Sequence, residues 1–212
     1  MKSNRRNFIK LTGLAGLGLV GAPMLKSHAA HSGLNSDHSD HSVNSDRNSD
    51  FNMSGYAAPK IDTVRIGFIG LGNRGPGAVK RMSKIDGVEI KALCDLRPDK
   101  AAAAKKLLEN TSHNPTIYTG NENEWKKVCE RNDIDLIYIA TPWQLHTPMA
   151  VYAMEHGKHA ASEVPAAVTI EECWQLVETS EKTKKHCMIL ENCCYDFFEL
   201  MTLNMADRKS VV

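Results

Sequence analysis

The residues best placed to do chemistry begin with Gly70-Leu71-Gly72-Asn73-Arg74-Gly75, a G-x-G-x-x-G turn flanked by an apolar run and a helical pattern. In that context Gly70 permits a tight turn. Gly72 lets backbone N–H groups approach a pyrophosphate, and Gly75 lets the following helix pack close to a sheet. The helix N-terminus then faces the phosphates. Asp95 follows 20 residues after Gly75, at the end of the next apolar run. A carboxylate there accepts hydrogen bonds from an adenosine ribose and repels a 2′-phosphate, which favours NAD over NADP. Arg97 works slightly against that preference.

Three further groups stand at the ends of apolar runs. One is Ala140-Thr141-Pro142-Trp143-Gln144-Leu145-His146, the second is Glu163-Val164-Pro165-Ala166, and the third is Glu191-Asn192. Ligands of open α/β sheets bind at the carboxyl ends of strands, so these polar and aromatic residues belong to the same candidate site. His146 also has a plainer reading as a surface residue opening a helix. Glu163 either orients a bound ring or substrate, or only hydrogen-bonds locally. Six cysteines, at 94, 129, 173, 187, 193 and 194, show neither a C-x-x-C pair nor zinc-ligand spacing, and most read as core thiols. His156, His159 and His186 receive no role, and Trp125 and Trp174 read as packing residues on helices.

The elements that must hold these groups alternate. Strands are expected over residues 64–69, 88–94, 116–119, 135–140, 158–162 and 187–190. Helices are expected over 76–85, 99–109, 122–131, 147–156 and 169–184, with a connecting helix over 195–205. Short β-branched runs alternating with helical patterns indicate a parallel sheet with crossover helices. Right-handed crossovers make it a Rossmann-type, doubly wound sheet of the α/β class, over residues 61–192.

The flanks are different in kind. Asn4-Arg5-Arg6-Asn7-Phe8-Ile9-Lys10, a weakly apolar stretch to Leu25 and small residues to Ala30 read as a twin-arginine export signal over residues 1–30. The expected destination is the periplasm or cell envelope. Residues 31–60, rich in Ser, Asn, Asp and His, read as a disordered linker. His31, His38 and His41 are at most a weak metal tract, because ordering a flexible segment costs entropy; no metal site is expected. The chain carries 26 Lys plus Arg against 25 Asp plus Glu, a balance that argues against nucleic acid as a partner. No apolar run reaches the roughly 18 residues of a membrane span, so no transmembrane anchor is expected after signal removal. Residues 193–212 read as the start of a second domain. The tail Asp207-Arg208-Lys209-Ser210-Val211-Val212 is what a common sequencing adapter encodes in frame, and it is expected to derive from one.

Over residues 61 to 205 the chain resembles the Gfo/Idh/MocA oxidoreductase superfamily. Sugar dehydrogenases of that superfamily usually carry Glu-Lys-Pro after the fifth strand, with the lysine near the nicotinamide; here Val164 replaces the lysine. G-N-R-G-P-G at 72 to 77, C-D-L-R at 94 to 97, T-P-W-Q-L-H at 141 to 146 and E-V-P-A at 163 to 166 are similar instead to glycoside hydrolase family 109. These are NAD-dependent α-N-acetylgalactosaminidases. The resemblance implies NAD contacts from Asn73, Arg74, Asp95, Trp143, Gln144, Leu145, His146, Glu163, Val164 and Asn192. It implies a small-molecule glycoside as substrate and a redox-neutral cycle: a hydride leaves sugar C3, the aglycone is eliminated from C1, water adds, and the hydride returns. The family's substrate-binding and acid/base groups lie in a second, open-sheet α+β domain. Residues 1–212 alone are therefore expected to bind NAD without turning substrate over. Two other readings stay open, an exported NAD-dependent sugar dehydrogenase and a non-catalytic NAD-binding fragment. Oligomeric state is also open.

Overall fold

The computed structural model describes residues 51–207. Residues 1–30, expected to be an export signal, residues 31–50 of the expected linker with its three histidines, and the tail beyond Asp207 lie outside them. Six strands run β1 Val64–Ile69, β2 Val88–Asp95, β3 Thr116–Thr119, β4 Leu136–Ile139, β5 His159–Ser162 and β6 Cys187–Ile189. Helices α1 Gly75–Met82, α2 Pro98–Lys106, α3 Glu124–Cys129, α4 His146–Glu155 and α5 Ile170–Thr183 connect them, and α6 Phe197–Asp207 follows. The sheet order is β3-β2-β1-β4-β5-β6, and every neighbouring pair is parallel. The chain therefore reverses its direction of travel across the sheet between β1 and β4. In doubly wound folds the crevice at the carboxyl ends of those strands is the ligand site.

Apolar groups cover both faces of the sheet. Ile66 and Phe68 of β1, Ile90 and Leu93 of β2, and Tyr138 of β4 pack with Val79 of α1 and Ala101 and Ala104 of α2. Ile69, Cys94, Ile137 and Ile139 pack with Val128 of α3 and Met149, Ala153 and Met154 of α4. Period-2 alternation along β1 thus feeds two cores, which explains why its apolar run is continuous. Helix α5 begins with a reciprocal cap. Thr169 Oγ1 accepts the Glu172 N–H at 3.1 Å, while the Glu172 carboxylate accepts the Thr169 N–H at 3.3 Å.

Three sequence expectations change. Residues 51–58 are not simply linker: Tyr56 packs on His186, and the Ala58 N–H donates to His186 Nε2 at 3.3 Å. The two aromatic rings Phe51 and Tyr56, which meet edge to face, set this stretch apart from the polar repeat before it. Only Cys94 and Cys129 are core thiols, and burial pushes both up to about 12. Cys187 is half-buried, whereas Cys173, Cys193 and Cys194 are exposed, because the first lies on the outer face of α5 and the other two in a short 3₁₀ turn, Asn192–Tyr195. Helices α1, α2 and α3 end at Met82, Lys106 and Cys129 rather than at residues 85, 109 and 131. No described helix is long and apolar enough to cross a membrane.

Candidate functional site

The turn from β1 into α1 is built by two glycines that the fold itself demands. Gly70 has φ +92°, and a Cβ there would lie 2.5 Å from the Ala140 carbonyl oxygen. A Cβ on Gly75 would collide with the Gly70 carbonyl oxygen. Gly72 is different, since a Cβ there would meet no protein atom within 4 Å. Packing within the chain gives no reason for glycine at 72, whereas close approach of a ligand to the backbone does. The N–H groups of Gly72, Asn73 and Arg74 have no acceptor among the described residues, and α1 has no side-chain cap. Open N–H groups at a helix N-terminus form a cradle for a pyrophosphate, so the residues present fit a dinucleotide.

Asp95, at the end of β2, braces this turn. Its Oδ2 accepts the Leu71 N–H at 2.6 Å and its Oδ1 accepts the Arg97 N–H at 2.9 Å. A carboxylate oxygen has two acceptor sites, so capacity remains for ribose hydroxyls. The Arg97 guanidinium is paired with Asp99 at 2.8 Å and holds that carboxyl below its ordinary range.

The loops after β4 and β5 are held differently. His146 is 1 % exposed, with Nδ1 2.6 Å from the Pro165 carbonyl oxygen and Nε2 2.8 Å from that of Thr141. Thr147 adds a hydrogen bond to the Ala166 carbonyl at 3.0 Å. The first residues of α4 thereby tie both loops together. His146 borders the cavity as a buried staple, neither the surface residue of the plainer reading nor a group reaching openly into solvent. Tyr138, in the middle of the sheet, donates its hydroxyl to Glu163 Oε1 at 2.7 Å. Burial first, and then the Glu163 carboxylate, push the phenol well above its usual range. The Val164–Pro165 bond is cis.

These parts enclose one cavity of about 1300 Å³. Of the residues singled out in the sequence, Gly70, Gly72, Asn73, Arg74, Asp95, Thr141, Trp143, Leu145, His146, Glu163, Val164 and Asn192 line it. Gln144 is exposed and lies outside the wall, and Gly75 sits beneath the turn. The cavity also uses Leu96, from the C-D-L-R stretch, and Asn121, Glu122 and Asn123, from a turn that carries no recognisable motif. Trp125 both packs against Tyr152, ring centroids 5.1 Å apart, and lines the wall. Trp174 is 45 % exposed. No group of side chains able to hold a metal ion occurs among the described residues.

Residues 64–191 match the model of the Gfo/Idh/MocA oxidoreductase family, whose described feature is an NAD-binding Rossmann fold. The chain belongs to this family. It is 63 % identical over 151 residues to a glycosyl hydrolase family 109 protein of Phocaeicola vulgatus, covering 71 % of this chain and 32 % of that protein. It is 58 % identical over 155 residues to an alpha-N-acetylgalactosaminidase of Bacteroides fragilis, covering 73 % and 36 %. The chain thus spans about a third of the length of these relatives. Among solved structures it resembles an NAD-binding protein from Listeria innocua, with a TM-score of 0.59 and 26 % identity over 70 % of this chain and 41 % of that one. As a member of the family the chain carries an NAD-binding Rossmann domain, and the cavity lies where that fold holds its dinucleotide.

Proposed function

We propose that this chain is the NAD-binding part of an exported glycosidase that cleaves α-N-acetylgalactosaminides with no net redox change. The observation that carries the reading is Val164. It lines the cavity beside Glu163 and is 41 % exposed, at the position where the resemblance would put a dehydrogenase lysine. An aliphatic side chain can neither take nor give a proton there, so the lysine's part in dehydrogenation has no counterpart at this position; in this reading the domain contributes chiefly binding and orientation, and the main acid and base groups belong to the remainder of the longer relatives. The name of the similar alpha-N-acetylgalactosaminidase from Bacteroides fragilis supports the same substrate class.

In this reading the open N–H groups of Gly72, Asn73 and Arg74 bind the pyrophosphate and Asp95 binds the adenosine ribose. Glu163, steadied by Tyr138, orients the nicotinamide end, with Trp143, Leu145 and Asn192 shaping the wall around it. When bound, NAD supplies a hydride acceptor and donor, so oxidation and reduction of the sugar cancel. The paired Arg5 and Arg6 support export of the folded, cofactor-loaded protein by the twin-arginine route to the periplasm or cell envelope.

The test is a chimera in which this domain replaces the corresponding part of the Bacteroides fragilis alpha-N-acetylgalactosaminidase. The proposal expects release of the aglycone from an α-N-acetylgalactosaminide without net accumulation of NADH. Stoichiometric NADH formation with the sugar retained as a ketone would instead make the protein a dehydrogenase.

A further inference from the structure

The turn between β2 and α2 places a cation beside the acid that faces the ribose, and the two make opposite demands. Asp95 repels a ribose 2′-phosphate, whereas a guanidinium two residues on could receive one through planar bidentate hydrogen bonds. Arg97 lines the same cavity as Asp95. Unopposed, it would let NADP compete with NAD.

Arg97 is not unopposed. Its Nε donates to Asp99 Oδ1 at 3.2 Å and its Nη2 to Asp99 Oδ2 at 2.8 Å, fork against fork. Its backbone is fixed as well, because the N–H donates to Asp95 Oδ1 and the residue directly precedes α2, whose first residue is Pro98. The guanidinium is therefore folded back onto the first turn of its own helix. Asp95, Arg97 and Asp99 together carry one net negative charge, so a phosphate arriving there is repelled. It must also displace a carboxylate already matched to the arginine.

We propose that Asp99 is a specificity-determining residue that sequesters Arg97 and so confines the cavity to NAD. The inference rests on the reading that the adenosine ribose lies at Asp95, and it adds Asp99 to the acid and the arginine that the dinucleotide rule names. Arg97 and Asp99 are 65 % and 62 % exposed, so their pair adds little to stability. It acts by competing for one guanidinium. Removing so exposed a side chain is expected to leave the fold intact, and Lys100, the next cation along α2, is unchanged in every variant below.

The whole 212-residue chain, freed of nucleotide, is titrated calorimetrically with NAD⁺ and with NADP⁺ as wild type, D99A, R97A and D99A/R97A. In D99A the affinity for NAD⁺ stays within about twofold of wild type while that for NADP⁺ rises at least about fivefold. The gain disappears when D99A is made in the R97A background. No gain in D99A overturns the proposal, and so does a gain of equal size with and without Arg97, which would make Asp99 a distant negative charge only. A wild-type chain that is folded by circular dichroism yet binds neither nucleotide refutes the ribose placement itself and removes the inference with it.

Discussion

The two halves of the cavity reach rigidity by different means. On the β1–β2 half, backbone shape does the work: Gly70 and Gly75 allow carbonyl oxygens to lie where any side chain would collide, and Asp95 bonds to the Leu71 N–H. On the β4–β5 half, two buried side chains do it. His146 ties the Thr141 and Pro165 loops, and Tyr138 steadies Glu163 from beneath. A half specified by what must be absent tolerates almost no change. A half specified by polar side chains can be loosened in steps, with its strands left in place.

Substitution sharpens that contrast. Gly75→Ala should have the largest effect, because its Cβ meets a backbone oxygen that has no room to move. A loss of about 2–4 kcal/mol of stability is expected, read as a lower thermal midpoint with NAD binding abolished. Asp95→Ala comes next, leaving the Leu71 N–H unpaired at a cost of about 1–3 kcal/mol and weakening NAD binding beyond what the stability loss explains; calorimetry separates the two. His146→Ala should cost about as much, roughly 1–3 kcal/mol, but locally. Amide exchange should accelerate at Glu163, Val164 and Ala166 and remain unchanged at 70–75. Equal acceleration in both loops would end the distinction between the halves. Tyr138→Phe removes one hydroxyl from a partner that keeps some access to water, so a loss of about 1 kcal/mol or less is expected, with the fold retained.

The smallest effect lies at the opposite, amino edge of the sheet and serves as a control. Arg131 holds the Asp133 carboxyl down to about 2, and the bidentate hydrogen bonds from Arg65 lower Asp135. Folded values below the unfolded ones mean that these pairs stabilise fully above the ordinary carboxylate range and lose that contribution as pH falls toward about 2. D133N/D135N should flatten the acid limb of a stability–pH curve, measured by denaturant unfolding. Exchange in both cavity loops at neutral pH should not change.

The same contrast explains what could be read before the structure. The β1–β2 half was legible because a steric requirement leaves a residue type at a fixed spacing: G-x-G-x-x-G and then Asp95. The six strands were legible too, within about a residue at their ends, because an all-parallel sheet covered on both faces demands short continuous apolar runs. Tyr138 was invisible as a site residue, since a tyrosine inside an apolar strand reads as core until the neighbouring strand is known to end in Glu163. Asn121–Asn123 carry no pattern because a cavity wall needs surface shape, not spacing. His146 was singled out as part of the region, and it lines the cavity. That its nitrogens face two carbonyl groups depends on Pro165, 19 residues away, and no local rule supplies that contact. Most of the six cysteines are not core thiols, because position on a helix or turn fixes the face only when the neighbours are known.

The central claim is that this domain keeps NAD in the cavity at the β1–β4 crevice. The most direct measurement is to purify the chain from the cytoplasm, denature it and assay the supernatant for nicotinamide nucleotide. The account predicts stoichiometric NAD(H) and no NADP(H). A folded protein that releases no nucleotide and fails to bind added NAD would contradict it.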